Sequence, residues 1–219
     1  MYKDFNYNEK RGRRSMDLNL LQGEVLVREA RRAIEEFLKS GKIVEAKIPK
    51  EIDVPSGVFV TLNKQENERE ELRGCIGYPE PIMKLSEALV EAAIAAATED
   101  PRFLPVELEE MEKIIVEVSV LTSPKLINVE RREDLLNLIK IGRDGLIVER
   151  GIRRGLLLPQ VPVEENWDVE TFLKYACLKA NLPPDAYLDP RTKIYSFSAR
   201  VFKEKTPRGA VVEVYLNTK

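Results

Sequence analysis

The chain has no histidine. That absence removes the commonest general base, the usual partner of a catalytic serine or cysteine, and the commonest transition-metal ligand. No Ser-His-Asp or Cys-His site can be assembled within one chain. Cysteine is almost as scarce. Cys75 and Cys177 are the only two in 219 residues, too few for a disulfide framework, and they read as free thiols of a cytoplasmic protein. Without a C-x-x-C pair they give no start to a zinc site, and no metal is expected. The glycines form neither G-x-G-x-x-G nor a Walker loop, so no nucleotide motif is present and no cofactor is expected. No apolar run approaches the roughly 20 residues of a spanning helix, and the opening "MYKDFNYNEK" lacks the apolar region of a signal peptide. A dominant charge is missing too. Thirty-five basic and 37 acidic residues leave a net charge of −2, with no global field to recruit nucleic acid or a membrane surface.

What is present is the composition of a globular protein, 43% hydrophobic and 33% charged. A chain of this length hides about 70% of its unfolded surface. The charged fraction, with three glutamines, points to a heat-loving source, and ten asparagines point the other way. Residues 1–15 carry Lys3, Lys10, Arg11, Arg13 and Arg14 against Asp4 and Glu9 with no apolar period. They read as a flexible tail, although the run "KRGRR" has the charge to touch phosphates. Residues 16–219 read as a single domain.

Along that domain the apolar period marks three main helices. One spans about Leu18–Lys39, with Asp17 as its cap and Leu18, Leu21, Val25, Ala33, Ile34, Phe37 and Leu38 on one face. The second is Leu85–Thr98, rich in alanine and so suited to close approach to a sheet. The third is "WDVETFLKYACLKANL", capped by Asp168, with Cys177 beside its apolar stripe as a small core residue. A shorter helix is expected in "VERREDLLNLIKIG". Strands are expected at "GVFVTLNK", "ELRGCIGY", "KIIVEVSVL", "DGLIVERG", "RRGLLLPQ", "KIYSFSARVFKE" and "AVVEVYLN", with "QENERE" as a charged connector. Strands arrive mostly as hairpins with helices inserted between them. That predicts an α+β fold, a mainly antiparallel sheet flanked by helices, and not a βαβ series.

The segment "LRGCIG", Leu72–Gly77, concentrates the chemistry. Alternation along a strand puts Arg73 and Cys75 on one face and Leu72, Gly74 and Ile76 on the other. A guanidinium beside a thiol favours the thiolate, and Gly74 and Gly77 leave bare backbone that another chain or a ligand can approach. Packing of a small apolar thiol accounts for the same residues, as does a binding site. Catalysis by Cys75 is the third reading, with its activating base missing. Gln160, after Pro159 at a strand end, reads either as a polar side chain pointing into a cleft or as an ordinary loop amide. Arg102, in "DPRF", has Asp100 or a ligand carboxylate as partner. Trp167 reads as a staple at a helix start, and Glu164 and Glu165 as a solvated loop.

"LRGCIG" at 72–77 resembles the signature of the AMMECR domain family, named for the region of Alport syndrome, midface hypoplasia and elliptocytosis. "DPRFLPV" at 100–106, "GLLLPQV" at 155–161 and "ENWDVETFLKYACLKANL" at 165–182 are similar to further blocks of that family, in its order, and the likeness runs from about Leu18 to Val214. The resemblance implies two unequal subdomains with a cleft between them, and an archaeal or bacterial member. It carries over Leu72, Arg73, Gly74, Cys75, Ile76 and Gly77 as site positions. It also implies a pathway shared with Memo-like and radical-SAM proteins. Two functions follow. In the first the chain is a binding module, with Leu72, Gly74, Ile76, Gly77, Arg102 and Gln160 contacting a protein partner or small molecule. In the second it is a thiol enzyme with Cys75 as nucleophile or redox centre, tuned by Arg73.

Overall fold

The computed structural model describes residues 18–66 and 69–214. The basic tail and the cap expected at Asp17 lie outside them. The first helix, α1 (Leu20–Ser40), is capped instead by Asn19, whose side chain accepts from the amide of Gln22 at 2.9 Å while the Gln22 side chain accepts from the amide of Asn19 at 3.0 Å. This reciprocal pair satisfies two otherwise orphaned donors. The buried face of α1 is Leu26, Val27, Ala30, Ala33 and Ile34. Leu21, expected on that face, is 74% exposed, because the first turn is phased by Gly23, which lies against the ring of Phe202.

Nine strands form two sheets among the described residues. The larger has the order β2-β1-β3-β8-β9, with β1 at Gly57–Glu66, β2 at Arg69–Tyr78, β3 at Ile114–Leu121, β8 at Ala199–Glu204 and β9 at Val211–Val214. The smaller has the order β4-β7-β5-β6, with β4 at Lys125–Leu126, β5 at Gly145–Arg150, β6 at Arg153–Leu157 and β7 at Lys193–Phe197. Every pairing is antiparallel. The fold is α+β, as the hairpin pattern implied.

Helices cover one face of the large sheet. Val58, Val60 and Leu62 of β1 and Val116, Val118 and Val120 of β3 pack with Leu26, Ala30 and Ile34 of α1 and with the alanines of α2 (Leu85–Thr98). Alternation puts these aliphatic residues on one side, so the large core is half sheet and half helix. The small sheet buries Leu146, Val148 and Ile194 against Phe172, Leu173, Ala176 and Cys177 from a later helix. That helix, α5 (Val169–Lys179), follows two single turns, α3 (Leu135–Leu138) and α4 (Val161–Glu164). Asp168 caps α5 by accepting from the amide of Thr171 at 2.8 Å, and Trp167 stacks on Tyr175 with ring centroids 4.1 Å apart. A third cluster joins the backs of the sheets, with Leu121, Ile147 and Phe197 packing with Phe59, Leu158 and Ala199.

Three expectations change. The helix in "VERREDLLNLIKIG" shrinks to a 3-10 turn, Arg132–Asp134, followed by α3. Gln65, Glu66, Arg69 and Glu70 of the charged connector belong to β1 and β2, because a two-residue connection lets the hairpin run on. "KIYSFSARVFKE" is two strands in different sheets, parted at Ser198. Leu121 pairs with Ala199, so the small subdomain, residues 122–198, is an excursion between two adjacent strands of the large sheet. Its entry and exit are tied where Thr122 N donates to the Ser198 carbonyl and Ser198 N donates to Thr122 Oγ1, both at 2.8 Å.

One buried charge pair locks the large subdomain. Arg31 of α1 donates to both oxygens of Glu204 at 2.9 and 2.5 Å, and Glu204 also accepts from Val116 N at 3.0 Å. Arg31 also donates to the carbonyls of Met111 and Ile114 and to Glu35, and Arg28 donates to Glu204 at 3.2 Å. A buried pair with all its groups satisfied ties a helix to two strands, and removing one member would strand the other. Among the described residues no helix is long and apolar enough to cross a membrane.

Candidate functional site

β2 is an edge strand with β1 on one side only. The hexapeptide Leu72–Gly77 lies in its second half and carries a β-bulge. Leu62 pairs with Gly74 and Asn63 with Leu72, which leaves Arg73 as the extra residue without a cross-strand partner. The bulge breaks the alternation on which the placement of Arg73 beside Cys75 was based. It also moves Leu72 to the face of Asn63 and Thr61, which is the face of Cys75. The Arg73 side chain runs to the loop after α2. It donates to Glu110 at 2.9 and 3.2 Å, to the Leu104 carbonyl at 2.9 Å and to the Pro105 carbonyl at 3.4 Å, and its guanidinium lies 5.9 Å from the Phe103 ring centre. Arg73 therefore does not tune the thiol. It fastens a loop to the sheet edge.

The guanidinium that acts on Cys75 is that of Arg102. The amide of Cys75 points out of the edge and donates to Asp100 Oδ2 at 2.8 Å. Arg102 grips the same carboxylate through Nε at 2.9 Å and Nη2 at 2.6 Å. The pairing of Arg102 with Asp100 thus forms, and it caps the outward backbone of the edge. Arg102, then the amides of Cys75 and Arg102, hold the Asp100 carboxyl well below the usual carboxylate range against the cost of its burial.

The remaining hexapeptide residues divide between two faces. Gly74 and Ile76 pair with Leu62 and Val60 and face the helices. A Cβ on Gly74 would stand 2.0 Å from the Ala96 carbonyl oxygen, so the bare backbone is filled by α2 of the same chain. Gly77 lies under Phe59, where a Cβ would come within 2.4 Å of the ring. Cys75 is on the back face, half-buried.

Around Cys75 the registers align a polar row. Cys75 pairs with Thr61, Thr61 with Glu117, and Glu117 with Lys203. The Thr61 hydroxyl donates to the Cys75 sulfur at 3.3 Å, and Lys203 is paired with Glu70. Burial pushes the Cys75 thiol up, opposed by the Thr61 hydrogen bond and by Arg102. It pushes the Glu117 carboxyl up as well, against Lys203, and the charges of Glu70 and Glu164 add to the rise. Burial thus keeps the thiol protonated at neutral pH and favours the neutral form of the Glu117 carboxyl. No cluster of three or more acidic, cysteine or histidine side chains that could hold a metal occurs among the described residues. Thr61 and Glu117 were not singled out in the sequence, although cross-strand neighbours of Cys75 were the place to look.

Gln160 lies on the small subdomain at the start of α4, four residues before Glu164. Its Oε1 is buried without a hydrogen-bond partner, which is costly unless a ligand or solvent donor reaches it. Gln160, Arg102 and Cys75 are thus on three separate elements. A cleft of about 840 Å³ does lie between the subdomains, but its lining passes from Gly57 to Pro79 and includes none of Leu72–Gly77.

A family model described as AMMECR1 matches residues 27–202. Protein MJ0810 of Methanocaldococcus jannaschii is 57% identical over 196 residues, 90% of this chain and 96% of the relative. A protein of Thermofilum pendens is 52% identical over 207 residues, covering 91% and 97%. A solved structure, the crystal structure of uncharacterized protein PH0010 from Pyrococcus horikoshii, matches with a TM-score of 0.82 at 54% identity, covering 91% of this chain and 99% of that one.

Proposed function

We propose, from the premise that this chain belongs to the AMMECR1 family, that it is a binding module whose ligand or partner is received on the back face of the large sheet at the Cys75 row. The reading rests on one observation: a thiol, a hydroxyl and a carboxyl occupy one cross-sheet row over three strands. These groups are half-buried rather than walled in, so a ligand able to hydrogen-bond can reach a row that an aliphatic sheet face would not offer. The row offers a thiol at Cys75 and, at Glu117, a carboxyl whose neutral form burial favours, with Leu72 as exposed apolar contact. Arg102 and Arg73 hold the edge in shape. Memo-like and radical-SAM proteins, which the family resemblance implies as pathway companions, are the partners to test first.

The experiment is titration of a Memo-like and a radical-SAM protein against the full chain, comparing wild type with Leu72→Asp and Glu117→Gln. The expected result is saturable binding that either substitution weakens at least about tenfold, about 1.4 kcal/mol. Binding that both variants retain unchanged would move the site elsewhere.

The thiol-enzyme reading lacks a base in contact with Cys75, since Thr61 stands between the thiol and the Glu117 carboxyl. It requires thiolate at neutral pH. Alkylation of the Cys177→Ala protein across pH decides. The expected midpoint for Cys75 lies above the ordinary thiol value of 9.0, and a midpoint below neutrality would restore catalysis as the leading reading.

A further inference from the structure

The cleft between the subdomains has a chemistry unlike the Cys75 row. Its volume, about 840 Å³, is that of a small-molecule site. The wall from the small subdomain carries Ser123, Lys125 and Ser196, and Lys125 lies directly opposite Ser196 in the β4–β7 pair. Cross-strand pairing brings their side chains to within about 5 Å of each other. Lys125 has no carboxylate partner among the described residues, and the Ser123 and Ser196 hydroxyls have no hydrogen-bond partner among them. The neighbouring acid, Asp144, is already neutralised, since Arg143 grips it at 2.8 and 2.6 Å and the amide of Lys140 donates to it at 2.9 Å. That wall therefore presents one uncompensated ammonium among free hydroxyls.

The opposite wall comes from the large subdomain. Pro79 and Pro81, which follow the hexapeptide, give it apolar surface, and the exposed Glu51 and half-buried Gln22 give it a carboxylate and an amide, the Gln22 Oε1 keeping one lone pair beyond the one that caps α1. An ammonium with two free hydroxyls matches the three terminal oxygens of a phosphate monoester better than it matches a neutral group. Carboxylate and amide acceptors above an apolar floor match a polyol. We infer that this cleft binds a small phosphorylated sugar or polyol, with the phosphate on Lys125, Ser123 and Ser196 and the hydroxyls toward Glu51 and Gln22. Because its walls belong to different subdomains, the bound ligand bridges them.

Titration calorimetry on the full chain tests this with glucose 6-phosphate, ribose 5-phosphate, glucose and inorganic phosphate. At least one sugar phosphate is expected to bind ten times more tightly than glucose or inorganic phosphate. Lys125→Ala should weaken it at least tenfold, Ser196→Ala should weaken it by a smaller factor, and Cys75→Ser should leave it unchanged. Lys125 is exposed, so its loss does not threaten the fold, and circular dichroism should confirm that. No binding of either sugar phosphate at about 10 mM, inorganic phosphate binding as tightly as both, or affinity indifferent to Lys125→Ala would each overturn the proposal. Loss on Cys75→Ser with Lys125→Ala silent would place the ligand on the Cys75 row instead.

Discussion

The two faces of β2 do different work. On the helix side, Gly74 and Ile76 are shaped by what presses on them, a carbonyl of α2 and the aliphatic core. On the back, Leu72 and Cys75 meet a hydroxyl, a carboxyl and open space. A six-residue signature is therefore not one site. Alternate positions face the packed helices or the open back of the sheet, and the bulge at Arg73 assigns a third job, holding a loop. The lesson is that residues adjacent in a motif answer to different constraints, so substitutions along it should differ in kind.

The largest effect should come from the closed face. Gly74→Val forces a side chain into the Ala96 carbonyl and is expected to lower stability by about 3 kcal/mol in urea denaturation. A loss of less than about 1 kcal/mol would mean that α2 moves freely away and that the two faces differ little. Arg73→Ala comes next. It leaves Glu110 and two carbonyls without their donor, at about 2 kcal/mol, and amide exchange over residues 103–110 should quicken. Unchanged exchange there would remove the fastening role.

Smaller effects should mark the open face. Cys75→Ser keeps a donor in a polar row and is expected to cost within about 1 kcal/mol. Cys177→Ser puts a hydroxyl into an aliphatic core and should cost more, about 1–3 kcal/mol. Equal losses would erase the contrast between the two surroundings. The smallest change is Glu117→Gln. Its carboxyl is raised in the folded state, so the folded protein binds the proton more tightly, and stability contributed by the protonated form falls as pH rises from about 4.5, the ordinary value, through the folded one. The variant should lack that fall. Thermal melts should show it equal to wild type at pH 4 and higher by about 2–4 °C at pH 7.

Much of this could be read in advance. The strand expected at "KIIVEVSVL" is β3, and the run Leu85–Thr98 is α2 to the residue. The thiol was located on the correct strand. The partner of that thiol was not foreseen, because one inserted residue reverses the side-chain phase and nothing in the letters "LRG" announces a bulge. Arg102 became the neighbour of Cys75 through a loop that folds back 25 residues later, a contact no local period encodes. The parting of β7 from β8 at Ser198 was missed for a similar reason. An extended chain can pass from one sheet to another without a turn residue to mark the crossing.

That crossing suggests a piece of protein surgery. Leu121 and Ala199 face each other as the last rung of a ladder, so the 77 residues numbered 122–198 can be replaced by a tight two-residue reversal, leaving the five-stranded half with its own closed interior. A miniature of this kind would keep the Cys75 row and lose one wall of the cleft, so the two proposed sites could be tested apart in a single preparation.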